Sequence, residues 1–171
     1  MSITIRNAIP ADAGMIASIH VASWRATYRG MLDDAFLEAL TPDHRLGMWE
    51  RLLGSGQMDV VVLVAERDGE VAGFASYGPQ SNAAGSDPSL ELYTIYLRPA
   101  MERQGIGSRL IRAVEEGMAN RGATSGCLWV HRGNAKARQF YEARHWQGSG
   151  KQRTVTLWGV EIDEVQYWKE L

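Results

Sequence analysis

The chain has 171 residues, of which 45% are hydrophobic and 22% are charged, a composition typical of a folded domain and unlike that of a disordered chain. Its net charge of -2 excludes a global positive field that would attract nucleic acid or anionic membranes. The single cysteine excludes an intramolecular disulfide and a multi-cysteine metal site.

The N-terminal segment has no basic stretch followed by a long apolar run. No run of about 18 apolar residues occurs elsewhere in the chain. We therefore expect one domain, residues 1–171, located in the cytoplasm, with no membrane or nucleic-acid partner.

The first 56 residues predict a strand followed by helices. Residues 3–8 alternate apolar and polar side chains, which is typical of a half-buried strand. The next segment predicts a helix whose buried face carries Met15, Ile16, Ile19 and Ala22. Residues 33–56 predict a short helix before Pro42 and a second helix after it, which ends at Gly54 and Gly56.

The middle of the chain predicts strands. Asp68-Gly69 separates two strand-like runs, and this dipeptide is a strong signal for a β-hairpin. The polar residues 79–89 predict a mobile loop between strands. Residues 90–97 predict a strand covered on both faces, because apolar residues occupy both sets of alternating positions apart from Glu91 and Thr94.

The last third predicts a helix from Ile106, another buried strand, a helix that begins at Asn134, and two strands that turn near Gly159. The order of these elements predicts a mixed sheet flanked by helices.

The loop between the strand at 90–97 and the helix at Ile106 contains Gly105-Ile-Gly107. Spaced glycines before a helix predict an anion site, because the first amide groups of a helix lack partners and the helix dipole favours negative charge. A P-loop is excluded, since it needs four residues between its glycines and a Lys before Ser or Thr. A dinucleotide fingerprint needs a small residue where Leu110 stands.

Two blocks carry a resemblance to a known family. Pro99, Gly105 and Gly107 match a coenzyme A pyrophosphate motif (Gln or Arg, two residues, Gly, one residue, Gly or Ala), with Glu102 in place of its first residue. Residues 134–146 match a later block at Asn134, Ala137, Phe140, Tyr141 and Glu142, with His145-Trp146 in place of Gly-Phe. The chain therefore resembles a GCN5-related N-acetyltransferase over essentially its whole length.

The resemblance implies a single-domain α/β fold with a mixed, mostly antiparallel sheet and helices on both faces. It implies acetyl-CoA as cosubstrate, with no metal. The implied cofactor-binding residues include Asn134 and Tyr141, and strand residues whose backbone pairs with pantetheine. The remaining ones form the strand set Ile95, Tyr96 and Leu97 and the loop set Arg103, Gln104, Gly105, Ile106, Gly107 and Ser108.

Two side chains are candidates for the chemistry of acetyl transfer. Glu91 is a carboxylate in an otherwise apolar strand, and the resemblance implies that it is the base; the alternative is a structural residue at the strand start or in an ion pair. Tyr141 matches the tyrosine that protonates the leaving thiolate; without the motif, a packing role would be preferred.

The N-terminal region resembles the part of the family fold that forms the acceptor pocket. Trp24, Tyr28 and Glu91 are the residues we expect to contact the acceptor. Trp49 is a further candidate for lining this pocket, and Asp33 or Asp34 for attracting a cationic amine.

The predicted function is transfer of an acetyl group from acetyl-CoA to a primary amine of a small molecule or protein. The alternative is a non-catalytic regulator with the same fold that binds acyl-CoA. A homodimer is compatible with the resemblance.

Overall fold

The computed structural model describes residues 2–56, 59–80 and 88–171, which form one seven-stranded sheet with helices on both faces. The strands are β1 (Ile3–Asn7), β2 (Val61–Arg67), β3 (Glu70–Pro79), β4 (Ser89–Leu97), β5 (Ser125–His131), β6 (Gln147–Leu157) and β7 (Val160–Glu170). The helices are α1 (Ala13–Tyr28), α2 (Asp34–Ala39), α3 (Asp43–Gly54), α4 (Ile106–Asn120) and α5 (Ala135–Glu142).

The strands lie in the order β1-β2-β3-β4-β5-β7-β6. Only β4 and β5 pair in parallel; the other neighbouring strands in the described chain are antiparallel. The predicted mixed, mostly antiparallel sheet with flanking helices is confirmed. The parallel pair needs a crossover connection, and α4 provides it.

The two faces of the sheet bury different helices. On one face, α4 contributes the predicted apolar stripe, including Leu110 and Val114, which are both fully buried. On the other face, Ile16 of α1 and Trp49 of α3 pack against Phe74 of β3. Burying each such side chain stabilises the fold by roughly 1.5–3 kcal/mol.

The predicted buried face of α1 needs a correction. Ile16 and Ile19 are buried, but Met15 and Ala22 are exposed. His20 and Ser23 are buried instead. Because both are polar, a hydropathy pattern leaves them out, and the predicted stripe is correct at Ile16 and Ile19 but wrong at Met15 and Ala22.

Glycine signals locate the turns. Asp68 and Gly69 both have positive φ and join β2 to β3, which confirms the predicted hairpin. The turn near Gly159 is also confirmed, and its first residue, Trp158, holds φ at +53°. Bulky residues rarely adopt this conformation, so the packing of Trp158 must compensate for a local cost.

The predicted loop at 79–89 begins at the end of β3 and ends at the start of β4, while residues 81–87 lie outside the described part of the chain. Within residues 2–56, 59–80 and 88–171, no helix has the length and apolar character needed to cross a bilayer.

Candidate active site

The loop before α4 has the geometry of an anion-binding site. Gly105 adopts a left-handed conformation with φ of +80°, and Arg109 N donates the first helical bond to Gly105 O at 3.2 Å. The amides of Ile106, Gly107 and Ser108 precede that bond, so they have no partner within the helix. The positive end of the helix dipole lies at the same point.

The two glycines of this loop have different physical roles. A Cβ at Gly105 would meet no atom within 4 Å, so the space in front of the loop is open. Glycine is favoured at this position because of its positive φ and not because of crowding. A Cβ at Gly107 would lie 3.3 Å from Cε2 of Phe140. Gly107 therefore allows α4 to pack closely against α5.

The side chains around the loop are mostly engaged in local contacts. Gln104 Nε2 donates to Ala100 O at 3.2 Å, and Arg109 Nη1 donates to Ile3 O at 3.0 Å. Glu102 forms an ion pair with Lys136 of α5. Arg103 is exposed, with a positive φ of 60°. The backbone of this loop is thus more available to a ligand than most of its side chains.

The sheet opens beside this loop. β4 and β5 pair over only four residue pairs, from Ser89–Ser125 to Leu92–Leu128. Ile95, Tyr96 and Leu97 still pair with β3 but lie beyond the last pair with β5. Their edge faces the opening, although the Leu97 carbonyl already accepts a hydrogen bond from Ser23 Oγ at 2.5 Å.

Tyr141 is placed at this opening by α5. Asn134 caps that helix by accepting a hydrogen bond from Ala137 N at 3.0 Å. Tyr141 is 7% exposed, and burial together with the nearby Tyr96 raises the pKa of its hydroxyl above the usual value. The hydroxyl is therefore protonated at neutral pH and able to donate a proton.

Glu91 occupies the paired part of β4, one residue before the pairing with β5 ends. It lies opposite Gly78 of β3 and Cys127 of β5, and it is 5% exposed. Burial, with a contribution from the Glu91 charge, raises the pKa of Tyr93 to about 12. The structure thus places a buried carboxylate next to the opening, and its role as a base stays a prediction.

Two of the three predicted acceptor contacts, Trp24 and Tyr28, belong to a buried aromatic cluster. The ring centroids of Trp24 and Tyr28 are 4.6 Å apart, and Trp158 of the β6–β7 turn lies 4.1 Å from Trp24. Trp24 Nε1 donates to the Tyr96 hydroxyl at 3.0 Å. Because Tyr96 lies on the open edge of β4, this cluster is adjacent to the opening.

The other candidates for the acceptor side are the buried Trp49 and the aspartates at the start of α2, Asp33 and Asp34. Trp49 is 1% exposed and donates to Nδ1 of His20 at 3.3 Å within the core. Asp33 caps α2 by accepting from Phe36 N at 2.8 Å, whereas Asp34 is exposed. His20 is buried among aromatic rings, and desolvation lowers its pKa to about 3, which makes it a poor base at neutral pH.

Glu164 of β7 was not indicated by any sequence motif. It is 8% exposed, and its Oε2 accepts a hydrogen bond from Arg153 Nε at 2.7 Å. Burial is the main cause of the raised pKa values of Tyr28 and Tyr96, and the charge of Glu164 raises both further. Burial lowers the pKa of His131, and the charge of Glu164 acts in the opposite direction. The sequence around Glu164 does not indicate a functional residue, because the groups on which its charge acts lie on three other elements: α1, β4 and β5.

Among the residues at 2–56, 59–80 and 88–171, no group of three or more His, Cys, Asp or Glu side chains is arranged to hold a metal ion.

A left-handed glycine loop at a helix N-terminus, next to two parallel strands that separate, defines an α/β protein with an anion-binding geometry beside an open strand edge. Residues 20–146 match the model of the acetyltransferase (GNAT) family, and the chain belongs to this family. It is accordingly an N-acetyltransferase.

Relatives agree with this assignment. The chain is 34% identical over 142 residues to the uncharacterized N-acetyltransferase YuaI of Bacillus subtilis (strain 168), covering 82% of this chain and 78% of YuaI. It is 28% identical to the spermidine N(1)-acetyltransferase of Thermoplasma acidophilum, over 82% of this chain and 86% of that protein. The fold is similar to that of PaiA N-acetyltransferase from T. acidophilum in complex with coenzyme A, with a TM-score of 0.77, 23% identity and full coverage of both chains.

Proposed function

We propose that the protein transfers the acetyl group of acetyl-CoA directly to a primary amine within a ternary complex. The observation that carries this proposal is that β4 and β5 pair over only four residue pairs, which leaves an open edge of β4 at Ile95 and Leu97. Tyr141 belongs to the hydrophobic cluster against which these two residues pack, and its hydroxyl is protonated at neutral pH. The similar PaiA structure, a complex with coenzyme A, supports the choice of cosubstrate.

The open elements suit the parts of acetyl-CoA. Backbone amides of the loop, from Arg103 to Ser108, bind the pyrophosphate, because they lie at the positive end of α4. The free edge of Ile95 to Leu97 pairs with the pantetheine amides. Asn134 adds a hydrogen bond to the cofactor while it caps α5.

The reaction forms one bond and breaks another. The neutral amine nitrogen attacks the thioester carbonyl carbon, and the carbon–sulfur bond then breaks. Because an alkyl ammonium has a pKa of about 10, a base must first remove a proton. Glu91 accepts that proton, directly or through a water molecule. After the attack the nitrogen still carries one proton more than the amide product has. Tyr141 donates its hydroxyl proton to the leaving thiolate, and the extra nitrogen proton then restores the neutral tyrosine.

Replacement of Tyr141 by Phe tests this assignment. The Tyr141→Phe variant removes only the hydroxyl, so kcat should fall about 100-fold or more, the usual size of a general-acid contribution. The dissociation constant for acetyl-CoA should stay within about 3-fold, because the packed ring remains. Thiol release over a panel of amines measures the first quantity, and calorimetric titration measures the second.

Tyr77→Phe is the matched control, since Tyr77 is also a buried tyrosine but packs under α4. Its kcat should not change. An unchanged kcat in Tyr141→Phe would remove the general-acid role. Binding of acetyl-CoA without thiol release on any metabolite, antibiotic, polyamine or protein amine would favour a non-catalytic acyl-CoA-binding regulator. Spermidine is included in the panel of amines to be tested because of the name of the T. acidophilum relative.

A further inference from the structure

Arg45 of α3 is a cation that forms no ion pair with a carboxylate of residues 2–56, 59–80 or 88–171. Its guanidinium carbon lies 3.6 Å from the centroid of the Trp158 ring. Its Nε is buried and has no hydrogen-bond partner, the one such side-chain atom in the described part of the chain. Desolvation lowers the pKa of Arg45 to about 10, so the group is still charged at neutral pH. Leaving a buried donor unpaired is costly unless a ligand satisfies it.

The position of Arg45 connects it to the candidate active site. Trp158, on which it stacks, packs against Trp24, and Trp24 donates to the Tyr96 hydroxyl. The charge of Arg45 also acts on Tyr96 directly and on His20. Arg45 therefore lies on the α1 side of the open edge of β4, where the acceptor-side aromatic residues are found.

A negative charge acts on the same hydroxyl from another element. Glu164 raises the pKa of Tyr96, whereas Arg45 lowers it, and burial is the largest cause of its overall rise. Oε2 of Glu164 pairs with Arg153 Nε at 2.7 Å, and the Glu164 side chain is 11% exposed. Tyr96 thus lies in the field of a cation whose Nε is unpaired within the described residues and of a carboxylate that is held in an ion pair.

We propose that the acceptor is an amino acid in the broad sense, a compound that carries both a primary amine and a carboxylate. Its carboxylate binds the guanidinium of Arg45, and Glu164 provides the negative potential that attracts the ammonium group before it loses a proton. A polyamine would bring a second positive charge towards Arg45, which is unfavourable. This inference rests on the proposed acetyl transfer, because it names the acceptor of that reaction.

Matched acceptors test the substrate class. L-Leucine, L-phenylalanine and 4-aminobutyrate would each be compared with the corresponding amide, and all with spermidine, by thiol release from acetyl-CoA. At least one acid should exceed its amide in kcat/KM by about 10-fold or more, the usual worth of a hydrogen-bonded charge. Amides or spermidine that react as well as the acids would overturn the proposal while leaving acetyl transfer established.

Binding provides a readout that does not need turnover. The acids should raise the melting temperature of the coenzyme A-loaded protein, and the amides should raise it less. If no acid binds, the acceptor assignment is wrong. If the acids bind without thiol release while another amine releases thiol, the acids are ligands and not acceptors, and the acceptor assignment is overturned. If no amine releases thiol, the proposed acetyl transfer fails and the acceptor assignment fails with it.

Substitutions at Arg45 separate recognition from packing. Arg45→Met keeps an apolar stem on Trp158 and should raise KM for the acid acceptors about 10- to 100-fold, with kcat and the amide acceptors changed by less than about 3-fold. Arg45→Lys should recover part of the loss. Arg51→Met is the matched control, because Arg51 is exposed on the same helix. If Arg45→Met lowered the melting temperature but left the ratio of kcat/KM for acids and amides unchanged, Arg45 would only stabilise the fold by stacking on Trp158. That result would overturn the proposal.

Discussion

Glu102 stands where the family pattern has Gln or Arg, and the structure gives it a different use. Its carboxylate pairs with Lys136, which links the loop before α4 to the first turn of α5. The Lys136 side chain is 72% exposed, and exposed ion pairs contribute little, about 0–1 kcal/mol. The backbone amides beside it are therefore expected to dominate phosphate binding.

Glu102→Gln should change the affinity for acetyl-CoA by less than about 5-fold, the effect of an interaction worth up to about 1 kcal/mol. Any change should be towards tighter binding, because a negative charge near the phosphates is removed. Calorimetric titration measures the dissociation constant. Glu116→Gln, the same change at an exposed position of α4, is the control. A large loss of affinity would place the Glu102 side chain within the binding site.

The residues of the site differ in how far sequence could predict them. Tyr141 and Asn134 stand in a motif, and their helix and its cap follow from local signals. Arg45 and Glu164 have no such signal. Both charges act on Tyr96, and Arg45 stacks on Trp158 of the β6–β7 turn, so their effect depends on how α3 and this hairpin pack in the tertiary structure.

At the scale of elements, replacing either of two helical glycines, Gly117 and Gly47, by alanine is expected to have opposite effects on the free energy of unfolding. Gly117 lies in α4, where a Cβ would come 2.1 Å from the hydroxyl of the buried Tyr77. Gly47 lies in α3, where a Cβ would meet only Nη1 of Arg51, at the ordinary distance of 3.5 Å. The first glycine allows α4 to approach β3, and the second only lowers the helix propensity of α3.

Gly117→Ala should lower the free energy of unfolding by about 1–3 kcal/mol, because Tyr77 must move out of a packed core. Gly47→Ala should instead raise it by roughly 0.5–1 kcal/mol through better helix propensity. Urea denaturation of both variants measures the two changes. If both had the same sign, α4 would not pack against Tyr77 as closely as described.

Elements with strong local signals agree with expectation, while pairing between distant strands does not follow from them. The Asp68-Gly69 turn and the two helices around Pro42 are where their residues predict. The point at which the pairing of β4 with β5 ends has no such local signal. In the sequence, residues 90–97 form one continuous strand, and nothing local marks Leu92 as the last residue paired with β5. Only the family resemblance implied an open edge there.

At the scale of the molecule, His20 joins the two helices on one face of the sheet to the candidate active site. Its ring stacks on Tyr96 at 5.1 Å and accepts a hydrogen bond from Trp49 of α3. Since Nδ1 accepts that bond, the neutral ring carries its proton on Nε2. A charged ring in this environment would be desolvated and close to the positive charge of Arg45.

This burial predicts that the protein is less stable in mild acid. The pKa of His20 is about 3 in the folded chain, against about 6.5 when unfolded, so the unfolded state binds more protons between these values. Stability should therefore fall as pH decreases below about 6.5, with a loss of about 2 kcal/mol at pH 5 relative to pH 7.5. Urea denaturation at the two pH values measures this difference.

His20→Gln keeps an acceptor for Trp49 and removes the titrating ring, so most of the pH dependence between 7.5 and 5 should disappear even if the variant is less stable. A smaller part should remain, because burial also lowers the pKa of His131. Asp12 contributes little in this range, since Arg6 holds its pKa below the usual value and it stays ionised in both states. The exposed His44, changed to Gln, should leave the pH dependence intact. Equal pH dependence in the wild-type and His20→Gln proteins would show that His20 is not held in its neutral form by the aromatic cluster.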